Sequence, residues 1–225
     1  YDPHPPEIRE FEIDKAGCYK DPQDNYYTKT PENIHLIIKA DYANLMWIEG
    51  DVISPNTGKP IPYNTSEQVT LSSGDMEKTV TLTVVNAIGT PSDPESDTII
   101  LDTTPPRKPT LVLSDPDSPN PDYYTNNREV RVTVTNLDTD VIEYILSETQ
   151  ATQPSPTAAW WLVDRRDNIP YIPATSYWLS SDEEEKKVYL WVKDVVDHVN
   201  AAPAFDTITL DMTPPVLGNP ALRIE

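Results

Sequence analysis

Apolar and polar residues alternate with a period of two along much of the chain. Val80, Leu82 and Val84 lie on one side of a run whose other side carries Thr79, Thr81 and Thr83. Val188, Leu190 and Val192 repeat the pattern, with Tyr189, Trp191 and Lys193 between them. This spacing predicts half-buried strands with Tyr189 and Trp191 facing outward; a helix would need a period near 3.6. Shorter runs of the same kind lie at Ile34–Lys39, Leu45–Ile48, Thr98–Leu101, Leu111–Leu113, Val130–Val134, Ile142–Leu146 and Thr207–Leu210, with turn residues between them. About seven short strands per ~100 residues predicts an all-β chain folded as a sandwich of two sheets.

The same runs occur twice in the same order. DTIILDTTPP at 97–106 returns as DTITLDMTPP at 206–215, 109 residues later. LSSGDMEKTVTLTVVN from Leu71 returns as LSSDEEEKKVYLWVKD from Leu179, 108 residues later. NYYTKTPENIHLIIKA from Asn25 matches DYYTNNREVRVTV from Asp122. Asp2, Asp102 and Asp211 each precede a proline pair. Three blocks in constant order mark a duplication, and internal repeats of this kind decide architecture before any single motif does.

These blocks resemble the immunoglobulin-like repeats of large bacterial adhesins and S-layer-associated cell-surface proteins. Those repeats read Leu-Ser-x-Gly-Asp-Gly-x-Lys-x-Val-Tyr-x-x-Val-x-Asp-x-x-Gly-Asn, then Asp-Thr-Ile-x-Leu-Asp-Thr-Thr-Pro-Pro. LSSDEEEKKVYLWVKDVVDHVN followed by DTITLDMTPP is similar, and the resemblance spans both copies. Asp197-His198 stands in place of the usual Gly-Asn, and Asn86 stands where Asp is common. The expectation is two tandem immunoglobulin-like β-sandwich domains at 1–102 and 103–213, with 214–225 as the linker and first strand of a truncated third repeat. The chain opens on Tyr1 without a signal peptide and is expected to be a segment of a longer protein. The resemblance implies an extracellular, cell-surface location with neighbouring repeats as the first partners. The proline pairs predict short, semi-rigid junctions, because each fixes φ at two successive positions.

Charge narrows the function classes. With 17 basic and 37 acidic residues the net charge is −20. Such a chain repels phosphate backbones and anionic headgroups, so neither nucleic acid nor direct membrane insertion is expected. No stretch has the roughly 18 apolar residues of a spanning helix. The single cysteine, Cys18, excludes an intrachain disulfide. His4, His35 and His198 are scattered, and no H-E-x-x-H or G-x-S-x-G motif appears. Carboxylates are so many that some pair falls at glycosidase spacing without meaning. No enzyme is expected.

Oxygen-rich loops suit calcium. In an immunoglobulin-like sandwich the entering strand shares an end with the B–C and F–G loops, here Asn136–Asp140 and Asp194–Asn200. Asp102, Asp138, Asp140, Asp194 and Asp197 are therefore the candidate metal ligands, and Ca²⁺ the candidate cofactor; solvated carboxylates are the alternative. The matching first-copy set, Asp2, Asp41 and Asn86, is poorer in charge. The acidic turn Ser114–Asp122 fails the EF-hand pattern at Pro119 and reads as a rigid turn. Asn64-Thr65-Ser66 is a glycosylation sequon, relevant only in a eukaryotic secretory setting. Trp160, Trp161, Tyr171, Tyr177 and Trp178 cluster in one segment and could stack sugars, or could fold over Tyr189 and Trp191 as an outer cluster. The first expectation is a structural and adhesive spacer, stiffened by calcium, that meets a protein or glycan ligand at the surface. The alternatives are a carbohydrate-binding sandwich and a non-catalytic accessory domain of a secreted hydrolase.

Overall fold

A computed structural model of the chain describes residues 4–54, 58–118, 123–166 and 169–216. The fold is all-β, and the described residues contain no helix. The chain divides into two compact units, Tyr1–Thr104 and Pro105–Glu225.

The described residues of the first unit form ten strands: β1 (Glu7–Ile13), β2 (Tyr19–Lys20), β3 (Tyr26–Thr28), β4 (Ile34–Asp41), β5 (Leu45–Gly50), β6 (Val52–Ser54), β7 (Ile61–Pro62), β8 (Ser66–Leu71), β9 (Met76–Val85) and β10 (Glu95–Leu101). One sheet runs β1-β4-β8-β6 and the other β2-β3-β10-β9-β5-β7. Val80, Leu82 and Val84 of β9 are buried, with the half-exposed Thr79, Thr81 and Thr83 between them, as the period of two requires. They join Leu36 and Ile38 of the facing β4, and Met46, Ile48, Ile99 and Leu101 of the flanking β5 and β10, in one core. Side chains of this size contribute about 1.5–3 kcal/mol each on burial. Gly50 closes β5 at φ 96°, where a Cβ would lie 2.3 Å from the Thr79 carbonyl oxygen; backbone approach this close admits only glycine.

The described residues of the second unit form β11 (Thr110–Ser114), β12 (Tyr124–Thr125), β13 (Glu129–Thr135), β14 (Val141–Ser147), β15 (Trp161–Leu162), β16 (Asp164–Arg166), β17 (Ile169–Tyr171), β18 (Ser176–Trp178), β19 (Glu185–Asp194) and β20 (Ala204–Leu210). The sheets run β11-β13-β18 and β12-β20-β19-β14-β15, with β16 and β17 as a separate hairpin. Val188, Leu190 and Val192 are buried against Val130, Tyr144, Leu179 and Ile208. Every strand run expected from the sequence lies within one of these strands.

Trp191 follows the outer-cluster alternative, with Trp160 but not Trp161 in the cover. It lies on the outward side of β19, yet it is only 2% exposed. Its Nε1 donates to the Gln150 carbonyl at 2.7 Å. Lys193 Nζ reaches the Pro156 carbonyl at 3.1 Å, and Gln153 Nε2 donates to the Val199 carbonyl at 3.1 Å. The segment after β14 thus lies across the outer face of β19. Trp160 sits beneath Lys193, 5.3 Å from ring centroid to Nζ, whereas Trp161 turns away into β15.

Both units close the sandwich with the same carboxylate. Asp97 on β10 accepts the Ile13 N–H of β1 at 2.8 Å and the Thr98 N–H at 2.8 Å. Asp206 on β20 accepts the Leu113 N–H of β11 at 2.8 Å and the Thr207 N–H at 2.9 Å. In the first unit Lys15 Nζ adds contacts of 2.9 and 2.8 Å to the two Asp97 oxygens. The first and last strands lie in different sheets, so this side chain supplies a tie that no ladder hydrogen bond can.

Candidate functional site

The acidic loops of the second unit begin with the turn after β19. Asp194 is fully buried. Its Oδ1 accepts the N–H groups of Val196 at 3.0 Å and His198 at 2.8 Å. In the first unit Asn86 Oδ1 does the same for Ile88 at 3.1 Å and Thr90 at 2.9 Å. Asp197 takes φ 67°, where the first unit has Gly89 at φ 87°. A neutral amide therefore suffices to build this turn, and the charge of Asp194 is additional to it. The second oxygen, Oδ2, lies 3.2 Å from His198 Nδ1.

The other candidates are held differently. Asp138 Oδ2 accepts the Arg107 N–H at 2.6 Å, and its Oδ1 takes the guanidinium at 2.8 and 2.5 Å. These hydrogen bonds hold its carboxyl below the usual range against the opposing effect of partial burial. Asp140 goes the other way: burial, then the neighbouring Asp138 charge, pushes its carboxyl up despite its own backbone N–H and the charges of Arg165 and Arg107. Its buried Oδ1 has no hydrogen-bond partner among the described residues. Asp197 pairs with Lys193 at 2.9 Å, and Lys193 also meets Glu143 at 2.5 Å. Burial pulls the Lys193 ammonium down, but these two carboxylates outweigh it and hold it above its ordinary value. Asp102 belongs to the first unit. It is buried at the end of β10, where its N–H donates to the Thr28 carbonyl at 3.0 Å and its Oδ1 accepts the Thr104 N–H at 3.3 Å.

The fit to a hard cation is therefore uneven. Asp138 and Asp197 already neutralise cations of the chain. Asp140 offers a buried carboxylate oxygen without a donor, and Asp194 offers charge beyond what its turn needs. A calcium ion wants six or more oxygens, so it would draw on loop carbonyls and water as well as these side chains.

Two structural motifs escaped the sequence reading. The Asp97 and Asp206 ties are one. The other is an aromatic cleft of 250 Å³ in the second unit, lined by Tyr144, Leu146, Trp161, Ala174, Ser176 and Tyr177. The aromatic segment forms no single platform: Trp161 and Trp178 are 67% and 65% exposed but lie on different sheets, and Trp191 is buried. The acidic turn at 114–122 lies partly outside the described residues; within it Asp115 is buried and accepts the Thr125 hydroxyl at 2.6 Å. His4 stacks on Tyr42 at 5.2 Å, and His35 Nε2 lies 2.9 Å from Gln68 Nε2.

No protein-family model and no curated protein sequence matches the chain. Solved structures do. The fibronectin(III)-like modules of Clostridium thermocellum CbhA share 12% identity at a TM-score of 0.37, over 89% of this chain and 94% of theirs. The D00-D0 domain of intimin shares 12% identity at a TM-score of 0.34, over 90% of this chain and 100% of its own. A tetra-tandem repeat from the extending region of a large adhesion protein shares 12% identity at a TM-score of 0.29, over 92% of this chain and 50% of its own. At such identity these are likenesses of fold alone.

Proposed function

We propose that this chain is a non-catalytic, load-bearing spacer of an extracellular surface protein. The observation that carries the proposal is the repeated carboxylate tie. Tension along a chain of such units enters each sandwich at its first strand and leaves at its last. Asp97 joins β10 to β1, and Asp206 joins β20 to β11. The tie stands where pulling loads the sandwich, and it recurs in both copies.

The proposal extends to calcium. Asp102, Asp138, Asp140, Asp194 and Asp197 are the carboxylates offered, with Asp140 and Asp194 first on the fit described above. A bound divalent ion would neutralise charge that burial makes costly at Asp140.

Single-molecule pulling on the full chain tests the spacer. Two unfolding events are expected, and Asp97→Ala should lower the force of one while Asp206→Ala lowers the other. Unchanged forces in both variants sink the load-bearing role. Thermal unfolding in millimolar calcium, against chelator at matched ionic strength, tests the ion. A ligand at 100 times its Kd adds about 2.7 kcal/mol to the folded state. A melting temperature that ignores calcium removes that part and leaves the spacer standing.

A further inference from the structure

We infer that the cleft between β14, β15 and β18 of the second unit is a binding subsite for a neutral saccharide. The comparison of the two copies carries the inference. Tyr144 faces Val192 as Met46 faces Val84, and Leu146 faces Leu190 as Ile48 faces Leu82. Trp161 pairs with Tyr144 as Ile61 pairs with Met46. Tyr177 stands two residues before Leu179 as Val69 stands before Leu71. In the first unit the four positions carry no aromatic ring: Met46, Ile48 and Val69 are buried and Ile61 is half-buried, and β6 covers the far edge of β8 with Val52 buried beside Leu71. In the second unit three of the four positions are aromatic. Among the described residues no strand covers the far edge of β18. The corner is therefore open, and Trp161 stands two-thirds exposed at its mouth.

Packing alone does not account for this change. The first unit pairs the corresponding strands and fills the same four positions without an aromatic ring, and leaving a tryptophan in water forgoes the gain its burial would bring. The lining chooses the ligand. None of its six residues carries a charge, in a chain of net charge −20. An anion would find no cation among these residues, and the nearby Glu129 and Glu148 carboxylates are engaged by the Ser176 and Ser180 hydroxyls; a neutral ring with an apolar face and hydroxyl edges fits the lining. Trp161 supplies a flat surface for the ring's C–H groups. Tyr177 supplies a hydroxyl that accepts the Glu148 N–H at 3.2 Å and keeps its own proton to donate. The volume of 250 Å³ lies just under the roughly 300–1,000 Å³ of drug-sized pockets. It holds about one ring, leaving the rest of an oligosaccharide over the exposed Trp161–Leu162 strand. This subsite goes beyond the spacer role and does not depend on it.

Calorimetric titration of the full chain with neutral hexasaccharides tests it, using β-1,4-glucan, xylan, mannan, chitin and α-1,4-glucan series. Saturable binding of at least one series is expected. Trp161→Ala should weaken it by about tenfold, since one aromatic contact is worth up to ~1.5 kcal/mol. Tyr177→Phe keeps the ring and should weaken it less. Trp178→Ala removes the exposed tryptophan of the other sheet and should leave it unchanged. Binding by none of the series, affinity unaffected by Trp161→Ala, or occupancy of the cleft by an extended apolar peptide in place of any sugar overturns the inference.

Discussion

Asp97 and Asp194 are buried or half-buried carboxylates with opposite lessons. Burial alone would push the Asp97 carboxyl up, but the Lys15 ammonium and the N–H groups of Ile13 and Thr98 outweigh it and hold it below the usual range. A depressed carboxyl adds stability above its unfolded value near 3.9, and that stability is lost as pH falls through the folded value. The first unit should therefore soften below about pH 4. In Asp97→Asn that softening should be shallower, which hydrogen exchange followed by mass spectrometry reads peptide by peptide. Asp194 is tested by the turn it shares with Asn86. Asp194→Asn should hold the turn with little loss, whereas Asp194→Ala leaves two buried N–H groups without an acceptor and costs about 1–3 kcal/mol for each. Thermal melts of the two variants separate charge from hydrogen bonding. The charge of these residues was legible in the sequence; their partners were not, because Ile13 and Asp97 are brought together only by the closed sandwich.

At the scale of strands, the period of two announced β9 and β19. Lys78 shares parity with Val80, Leu82 and Val84, and it is buried, with its ammonium on Ser72 Oγ at 3.2 Å and the Ser73 carbonyl at 3.1 Å. Lys186 repeats the placement and reaches Glu184 at 3.0 Å. What periodicity could not announce was the cover over the outer face of β19. The residues from Gln150 to Trp160 have no periodic pattern, and only the aromatic cluster that begins at Trp160 hinted at a fold over Trp191. Their contacts to Trp191 predict a sharp contrast. Trp191→Ala should cost about 3–5 kcal/mol, as the loss of a buried large aromatic does. Trp178→Ala, on an exposed position, should stay within about 0.5 kcal/mol. Denaturant unfolding of the full chain, followed by far-ultraviolet circular dichroism, distinguishes them.

For the molecule as a whole, duplication was the most legible property and the cleft the least. Repeated blocks name the fold twice over, and matched blocks direct attention to what is the same. The cleft arises from what differs: Met46, Ile61 and Val69 become Tyr144, Trp161 and Tyr177. That difference gains meaning only when the strands are superposed in register. The whole molecule also carries its charge as a stability term. At net charge −20 the folded chain repels itself. Screening shortens from about 30 Å at 0.01 M salt to about 3 Å at 1 M. The melting temperature should therefore rise with sodium chloride over that range, even though individual surface ion pairs weaken; a flat profile would show that paired charges offset the repulsion.

The uncovered edge of β18 has one more consequence, for aggregation. A long open edge beside an exposed tryptophan is a template on which other chains add strands. Here the edge is only three residues long, Ser176–Trp178. Pro173 stands just upstream and has no N–H to offer an incoming strand. The same brevity that leaves the corner open keeps it from propagating, so copies of the chain can stand close together without zipping along this side.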